Sequence, residues 1–207
     1  MHIAILTFDG FNELDSLIAY GMLNRVKRPG WRVSIAAPTA SVTSMNGLVL
    51  QAQATLAEAS AADAVLVGSG SRTRDIVRDA AIMGALRLDP ARQLVGAQCS
   101  GALVLAKLGL LEGIPACTDL TTKPWVQEAG VQVLDQPLFA RGNIATAGGC
   151  LASHYLAAWL IASAEGDEAA RAVLQYVAPV GEKEQWVARA MGHVAPCVAR
   201  QPVAAIR

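Results

Sequence analysis

The sequence has no excess of charge of either sign, because 17 Lys and Arg residues balance 17 Asp and Glu residues in a chain of 207. The basic residues form no cluster, and their densest stretch, residues 25–32, is typical of a solvated helix end. Proteins that bind nucleic acid depend on grouped Lys and Arg side chains that neutralise phosphates. We therefore expect no nucleic-acid partner.

Long apolar runs are also missing. The longest one in the C-terminal half, residues 151–164, contains a serine and a histidine and is shorter than the roughly 20 residues that cross a membrane. A secretory leader has a basic segment ahead of its apolar residues, and the first residues of this sequence have none. We expect a cytoplasmic protein with no membrane segment.

Cysteine and histidine are scarce. The four cysteines form no C-x-x-C pair, and in a cytoplasmic protein this favours free thiols over disulfides. The three histidines offer no obvious Cys-His-Asp triad. Cys150 and His154 have helical spacing but supply only two metal ligands, so we expect no metal site.

The chain also lacks a phosphate-binding loop and a G-x-G-x-x-G fingerprint, so no cofactor is expected.

What it does have is a hydrophobic content of 53%, which excludes a disordered chain and allows a large core. The length fits one domain, residues 1–207, with a core over about 1–177 and an uncertain C-terminal tail.

Strand-like and helix-like segments alternate along the chain, which predicts an α/β fold: a doubly wound, mostly parallel sheet with helices on both faces. Asn46-Gly47 and Arg141-Gly142 indicate hairpin turns. The predicted strands are residues 3–8, 31–36, 64–67, 94–97 and 131–134, with two hairpins over 42–55 and 138–146. The predicted helices are residues 13–27, 73–86, 122–128, 152–164 and 167–176.

Cys99 is the most informative residue. It follows an apolar strand and precedes a helical segment, with Ala97 two places before it and Gly101 two places after it. This is the spacing of a nucleophile elbow, with sulfur in place of the usual serine oxygen. A helix N-terminus favours thiolate over thiol, so we expect a reactive, solvent-accessible cysteine with a lowered pKa.

The carboxyl ends of parallel strands meet at one edge of the sheet, where α/β proteins bind ligands. The first strand leads into Glu13 and Asp15, so a carboxyl group is expected near the sulfur, although both acids also suit the start of a helix. The segment Gly68-Ser69-Gly70 ends another strand. The N–H groups of Gly70 and Ser100 could form an oxyanion hole, or the segment is an ordinary tight turn.

These residues together resemble the ThiJ/PfpI superfamily, which has a class I glutamine amidotransferase-like, flavodoxin-like fold. The resemblance covers residues 1 to about 177, and the segments that carry it are Phe8 to Asp15, Val67 to Gly70, Ala97 to Ala106, Gly109 to Leu111 and Asn143 to Gly149. It implies a small-molecule substrate and a homodimer, with Cys99 as nucleophile and Asp15 as partner acid.

An aspartate at position 15 and a hydroxyl residue at 100 are similar to the isonitrile hydratase branch. The resemblance also implies a pocket near Asn12, Glu13, Ser69, Thr118 and Asp119. Asp119 stands where many members have a histidine, and Gly68-Ser69-Gly70 stands where they commonly have Pro-Gly-Gly. A histidine-dependent peptidase or amidase mechanism is therefore not implied.

Three functions follow from these observations. The first is an enzyme in which the Cys99 thiolate attacks a small electrophile, such as an isocyanide or a 2-oxoaldehyde, and Asp15 handles the proton. The second is a redox or stress protein in which Cys99 is oxidised. The third is a binding module that keeps the fold without the chemistry, because a fold alone does not decide function.

Overall fold

The structure is a computed structural model that describes residues 1–198. A six-stranded sheet forms its centre. Its strands are β1 (His2–Leu6), β2 (Arg32–Ala36), β5 (Ala64–Val67), β6 (Leu94–Gln98), β7 (Leu138–Arg141) and β8 (Ile144–Ala147). A separate two-stranded hairpin consists of β3 (Ser41–Thr43) and β4 (Val49–Gln51) around Asn46-Gly47.

The strand order in the large sheet is β2-β1-β5-β6-β8-β7, and every neighbouring pair is parallel except β7 with β8. The prediction of a doubly wound, mostly parallel sheet is confirmed. Because β1, β5, β6 and β8 are adjacent and parallel, their carboxyl ends lie at the same edge.

Helices cover both faces of the sheet. They are α1 (Glu13–Leu23), α2 (Leu56–Ala61), α3 (Thr73–Ile76), α4 (Ala80–Ala85), α5 (Gly101–Lys107), α6 (Lys123–Glu128), α7 (Ser153–Glu165), α8 (Asp167–Val177) and α9 (Lys183–Val194). Residues from α1, α7, α8 and α9 form the apolar core of one face, and residues from α2 to α6 contribute to the core of the other. Trp159 of α7 is fully buried.

Two predicted helices differ from the structure. The helix predicted over 13–27 ends at Leu23, whose carbonyl accepts a hydrogen bond from the Trp31 indole at 2.9 Å. The helix predicted over 73–86 is two short helices, α3 and α4, because the Asp79 carboxylate accepts hydrogen bonds from two backbone N–H groups and begins a new helix there.

The strand predicted at 131–134 is wrong. This segment makes only an isolated bridge, between Val133 and Ala116. The position beside β8 is occupied by β7, and β7 is the last strand on that side. An apolar segment without a neighbouring strand forms no ladder of hydrogen bonds, whatever its own preference for the strand conformation.

The C-terminal tail, which the sequence leaves uncertain, contains α9. This helix packs on the core through Val187, Ala190, Met191 and Val194, all buried. The last part of the predicted tail, residues 199–207, lies outside the described residues. Among residues 1–198, no helix has the length and apolar content required to cross a membrane.

Candidate active site

Cys99 occupies a sharp turn between β6 and α5. Its φ is 46°, the one positive value at a non-glycine residue within the described range 1–198. Such a conformation costs an L-residue on the order of 1–3 kcal/mol and is held only by surrounding contacts. Here the Cys99 N–H donates to Ala147 O and the Thr118 hydroxyl donates to Cys99 O, both at 2.8 Å. The predicted nucleophile elbow is present in the backbone.

Asp15 lies in the first turn of α1 and is only 2% exposed. One carboxyl oxygen accepts a hydrogen bond from the Ser69 hydroxyl, whereas the buried Oδ1 has no hydrogen-bond partner among the described residues. Ser69 follows β5, so the loops after β1 and β5 together hold this carboxyl group. A buried, half-satisfied carboxylate is unfavourable unless it takes up a proton or a ligand.

Asp15, Cys99 and Cys150 form one cluster. A carboxylate oxygen and the two sulfur atoms all lie within 4.8 Å of one another. Within residues 1–198 this is the one group of three acidic, cysteine or histidine side chains close enough to share a metal ion. The absence of a metal remains a prediction.

The protonation of this cluster differs from the expectation. Burial, and then the charge of Asp15, raise the pKa of the Cys99 thiol instead of lowering it. Burial also raises the pKa of Asp15, and the hydrogen bond from Ser69 opposes this rise. The expected lowering of the Cys99 pKa is wrong because the sulfur is desolvated and lies beside the Asp15 carboxyl group.

Both shifts have one consequence for the pair. Two adjacent buried anions repel each other, so Asp15 and Cys99 hold one proton between them over a wide pH range. Thiol with carboxylate and thiolate with carboxylic acid differ only by a proton transfer within the cluster. Asp15 is therefore positioned both to take the thiol proton and to return it.

Cys99 is 3% exposed, so the expectation of an open thiol is also wrong. The neighbouring Gln98 amide donates to Cys99 Sγ at 3.4 Å and to Gly149 O at 2.8 Å, which places the segment after β8 against the sulfur. Beyond that segment, a cavity of about 380 Å³ is lined by residues that include Gly149, Cys150 and His154. Only a small or narrow reactant reaches Cys99 without movement of the protein.

The predicted oxyanion hole is not available in full. The Gly70 N–H donates to Ser100 Oγ at 3.1 Å, and Ser100 Oγ also pairs with the Thr73 hydroxyl at 2.7 Å. The Ser100 side chain therefore fixes the loop after β5 and does not face a substrate. Of the two predicted donors, Gly70 is excluded by this contact and the Ser100 N–H remains.

The other predicted pocket residues divide into two groups. Asn12 caps α1 through its side-chain oxygen and donates from its amide to Cys150 Sγ at 3.1 Å, so it borders the cluster. Glu13 instead accepts hydrogen bonds from Ser44 and Asn46 of the β3–β4 hairpin, which lower its pKa and separate it from the sulfur. Asp119 accepts a hydrogen bond from the Thr122 N–H at 2.9 Å, in the turn that precedes α6.

Sequence reasoning missed Cys150 as a member of this cluster and considered it only beside His154. His154 contacts the Leu151 carbonyl and packs against Tyr155 and Trp186 instead. The available signal was the strand-end rule itself, because Cys150 follows β8 just as Cys99 follows β6.

The buried carboxyl predicts a specific pH dependence of stability. The pKa of folded Asp15 lies above its ordinary value of about 3.8, so the stability it contributes is present at low pH and is lost as the pH rises through the folded pKa. We expect Asp15→Asn to be more stable than wild type by about 1–3 kcal/mol at pH 8. The difference should shrink toward pH 4 in urea unfolding.

Glu13→Gln is the matched control, since the pKa of Glu13 is lowered and its substitution should reduce stability toward high pH. A constant difference between Asp15→Asn and wild type across this pH range would contradict the assigned burial of the charge.

Comparisons with known proteins agree with this fold. The family model of the DJ-1/PfpI family matches residues 1–163. A ThiJ/PfpI family protein from Pseudomonas syringae has a TM-score of 0.76 at 19% identity, covering 95% of this chain and 88% of its own. Schizosaccharomyces pombe DJ-1 has a TM-score of 0.74 at 15% identity, covering 86% of this chain and 100% of its own.

An oxidised form of Toxoplasma gondii DJ-1 has a TM-score of 0.71 at 19% identity, covering 85% of this chain and 97% of its own. These identities establish similarity of fold. A search of curated protein sequences gave no match.

Proposed function

The chain belongs to the DJ-1/PfpI family, and on that premise we propose that it is a cysteine-dependent hydratase that converts small isocyanides to N-substituted formamides. The observation that carries the proposal is the Cys99 elbow with the buried Asp15 carboxyl beside it, the oxygen and sulfur lying within 4.8 Å. Cys99 is the nucleophile and Asp15 the proton carrier.

The proposed reaction begins with attack of the Cys99 sulfur on the terminal carbon of the isocyanide, forming a C–S bond. The thiol proton passes through Asp15 to that carbon and gives a thioimidate. Water then adds across the C=N bond, its hydroxyl to carbon and its proton to nitrogen. Collapse of this adduct breaks the C–S bond, releases the formamide and returns the remaining proton to the Cys99–Asp15 pair.

Two features favour this substrate class over amides and peptides. The reactive carbon of an isocyanide is terminal and linear, which suits a sulfur that is 3% exposed. Addition of sulfur to that carbon also develops no oxyanion in the first step. Acyl transfer depends on oxyanion donors, and the Gly70 N–H is already bonded to Ser100 Oγ.

The test is turnover of an alkyl isocyanide, followed by mass-spectrometric detection of the formamide. We expect Asp15→Asn to lower kcat about a hundredfold with little change in KM, because its loss removes general acid–base help. Glu13→Gln should retain wild-type turnover, because the Glu13 side chain contacts the β3–β4 hairpin and not the cluster.

Since Asp15→Asn is expected to gain stability, its loss of rate would not reflect unfolding. No formamide from the wild-type protein would refute the hydratase proposal, and a full rate in Asp15→Asn would refute the role of the carboxyl group.

A second candidate function is a redox response in which Cys99 is oxidised and not used in turnover. The nearby Cys150 sulfur favours it, because a second thiol within 4.8 Å is suited to capture an oxidised cysteine. Peroxide-dependent modification of Cys99 in a protein without isocyanide turnover would support this function over the first.

We also propose that the chain forms the homodimer that the resemblance implies. Leu14 at the start of α1 is 48% exposed, and such an apolar side chain suits a second copy of the chain. Sedimentation at micromolar concentration checks it, and a monomer at that concentration would contradict it.

A further inference from the structure

We propose that Cys150 is a peroxide-reactive cysteine, whose sulfenic acid is captured by Cys99 in a reversible disulfide when the protein meets a hydroperoxide, and that this disulfide withdraws the nucleophile from turnover. The formation of the disulfide depends only on the positions of the two cysteines. Its effect on turnover rests on the proposed hydratase function.

The two sulfur atoms are close and differ in mobility. They lie within 4.8 Å of each other, and a disulfide needs a separation of about 2.05 Å. The Cys99 backbone is fixed by its hydrogen bonds to Ala147 and Thr118. Closure therefore requires Cys150 to move toward Cys99.

The backbone around Cys150 permits such a movement. Cys150 begins a single 3-10 turn, residues Cys150–Ala152, directly after Gly149. Gly149 has a φ of 89°, and a Cβ placed there would meet no atom within 4 Å. The Gly149 carbonyl accepts hydrogen bonds from Gln98 Nε2 and Ala152 N, both at 2.8 Å, so the movement strains these two bonds while glycine itself tolerates the new dihedral angles.

The surroundings of the two thiols also indicate which one reacts with peroxide first. Cys150 is partly exposed, whereas Cys99 is buried, so a peroxide dissolved in water meets Cys150 first. Burial, and then the charge of Asp15, raise the pKa of the Cys150 thiol, and the hydrogen bond that the Asn12 amide donates to Cys150 Sγ at 3.1 Å opposes this rise.

The chemistry balances with hydroperoxide as the oxidant. The Cys150 thiolate attacks a peroxide oxygen, the S–O bond forms, the O–O bond breaks, and an alcohol or water leaves after protonation. The Cys99 sulfur then attacks the sulfenic acid of Cys150. The S–S bond forms, the S–O bond breaks, and Asp15 delivers the former Cys99 proton to the departing hydroxide as water. Two thiols are oxidised by two electrons, and one peroxide is reduced.

The sequence gives a direct readout of the linkage. Trypsin should release Cys99 within residues 93–107 and Cys150 within residues 142–171. The experiment treats the reduced full-length protein with stoichiometric hydrogen peroxide, blocks free thiols with N-ethylmaleimide and maps the peptides by mass spectrometry. We expect these two peptides to be joined, with the loss of two hydrogens and release by dithiothreitol.

Variants separate the steps. Cys150→Ser should yield no joined peptide, and its buried Cys99 should remain a free thiol at stoichiometric peroxide. Cys99→Ser should accumulate a sulfenic acid on Cys150, trapped by dimedone. Cys197→Ser is the control and should form the same joined peptide as wild type, because Cys197 lies in the 3-10 helix after α9 and outside the cluster.

Several results would overturn the proposal: sulfinic acid on Cys99 of the wild type with no joined peptide, linkage through Cys117 or Cys197 instead, or a disulfide between two copies of the chain. In the turnover assay, peroxide should inactivate the wild type reversibly and should leave the rate of Cys150→Ser unchanged from that of the same variant without peroxide. If the protein hydrates no isocyanide, the hydratase fails while the mapped disulfide still stands. Turnover without a disulfide refutes the redox role of Cys150 alone.

Discussion

Cys99→Ala is expected to reduce isocyanide turnover by at least about a thousandfold, which corresponds to about 4 kcal/mol of lost transition-state stabilisation. The methyl side chain removes the atom that forms the C–S bond, so no covalent intermediate remains possible. No histidine belongs to the cluster around Asp15, and without sulfur the carboxyl group has no nucleophile to activate. The measurement is kcat/KM with an alkyl isocyanide.

Two further variants make this test specific. Cys99→Ser should also be nearly inactive, since a buried hydroxyl is a much weaker nucleophile than sulfur and Asp15 alone is a modest base for it. Cys197→Ser should keep turnover within about twofold, because Cys197 is partly buried after α9 and lies outside the cluster of Asp15, Cys99 and Cys150. Turnover by Cys99→Ala within tenfold of wild type would refute the assignment of the nucleophile.

Gly101→Ala is expected to destabilise the protein by about 2–4 kcal/mol, and to lower Tm by roughly 5–15 °C. A Cβ at Gly101 would lie 2.4 Å from the Val67 carbonyl oxygen and 2.9 Å from the Gly68 oxygen. Both contacts are backbone atoms of the neighbouring strand end, which cannot rotate away as a side chain can. Helix α5 would have to withdraw from β5 and carry the elbow with it.

Gly84→Ala is the matched control for that substitution. Gly84 lies in α4, where an added Cβ meets nothing within 4 Å, and alanine is the better helix former. We expect a gain of about 0.5–1 kcal/mol in urea unfolding. Equal effects of the two substitutions would contradict the close approach of α5 to β5.

The same close approach explains how the elbow could be recognised in the sequence. Small residues at 97 and 101 leave room for a nucleophile whose own backbone has a positive φ of 46°. Strand and helix alternation likewise predicted the parallel sheet, because hydrophobic periodicity is a local property of the chain. The rule that strand ends share one edge then placed Asp15 and Ser69 near Cys99 correctly.

Other predictions failed where a distant segment decided the outcome. The residues at 131–134 have the composition of a strand, but β7 already occupies that side of β8. Glu13 and Asp15 both stand in the first turn of α1, and the sequence gives no reason to separate them. The β3–β4 hairpin contacts Glu13, while Ser69 and Cys99 surround Asp15.

The amino-acid sequence by itself determined the α/β architecture, the elbow and the edge of the sheet where chemistry would occur, since each depends on residues that are neighbours along the chain. Only the tertiary structure decided that the Cys99 thiol is buried, that its pKa rises, and that Cys150 lies beside it. Solvation and through-space charge depend on segments that are far apart in the chain. Here these segments contain residues 15, 99 and 150, which come close together only after folding.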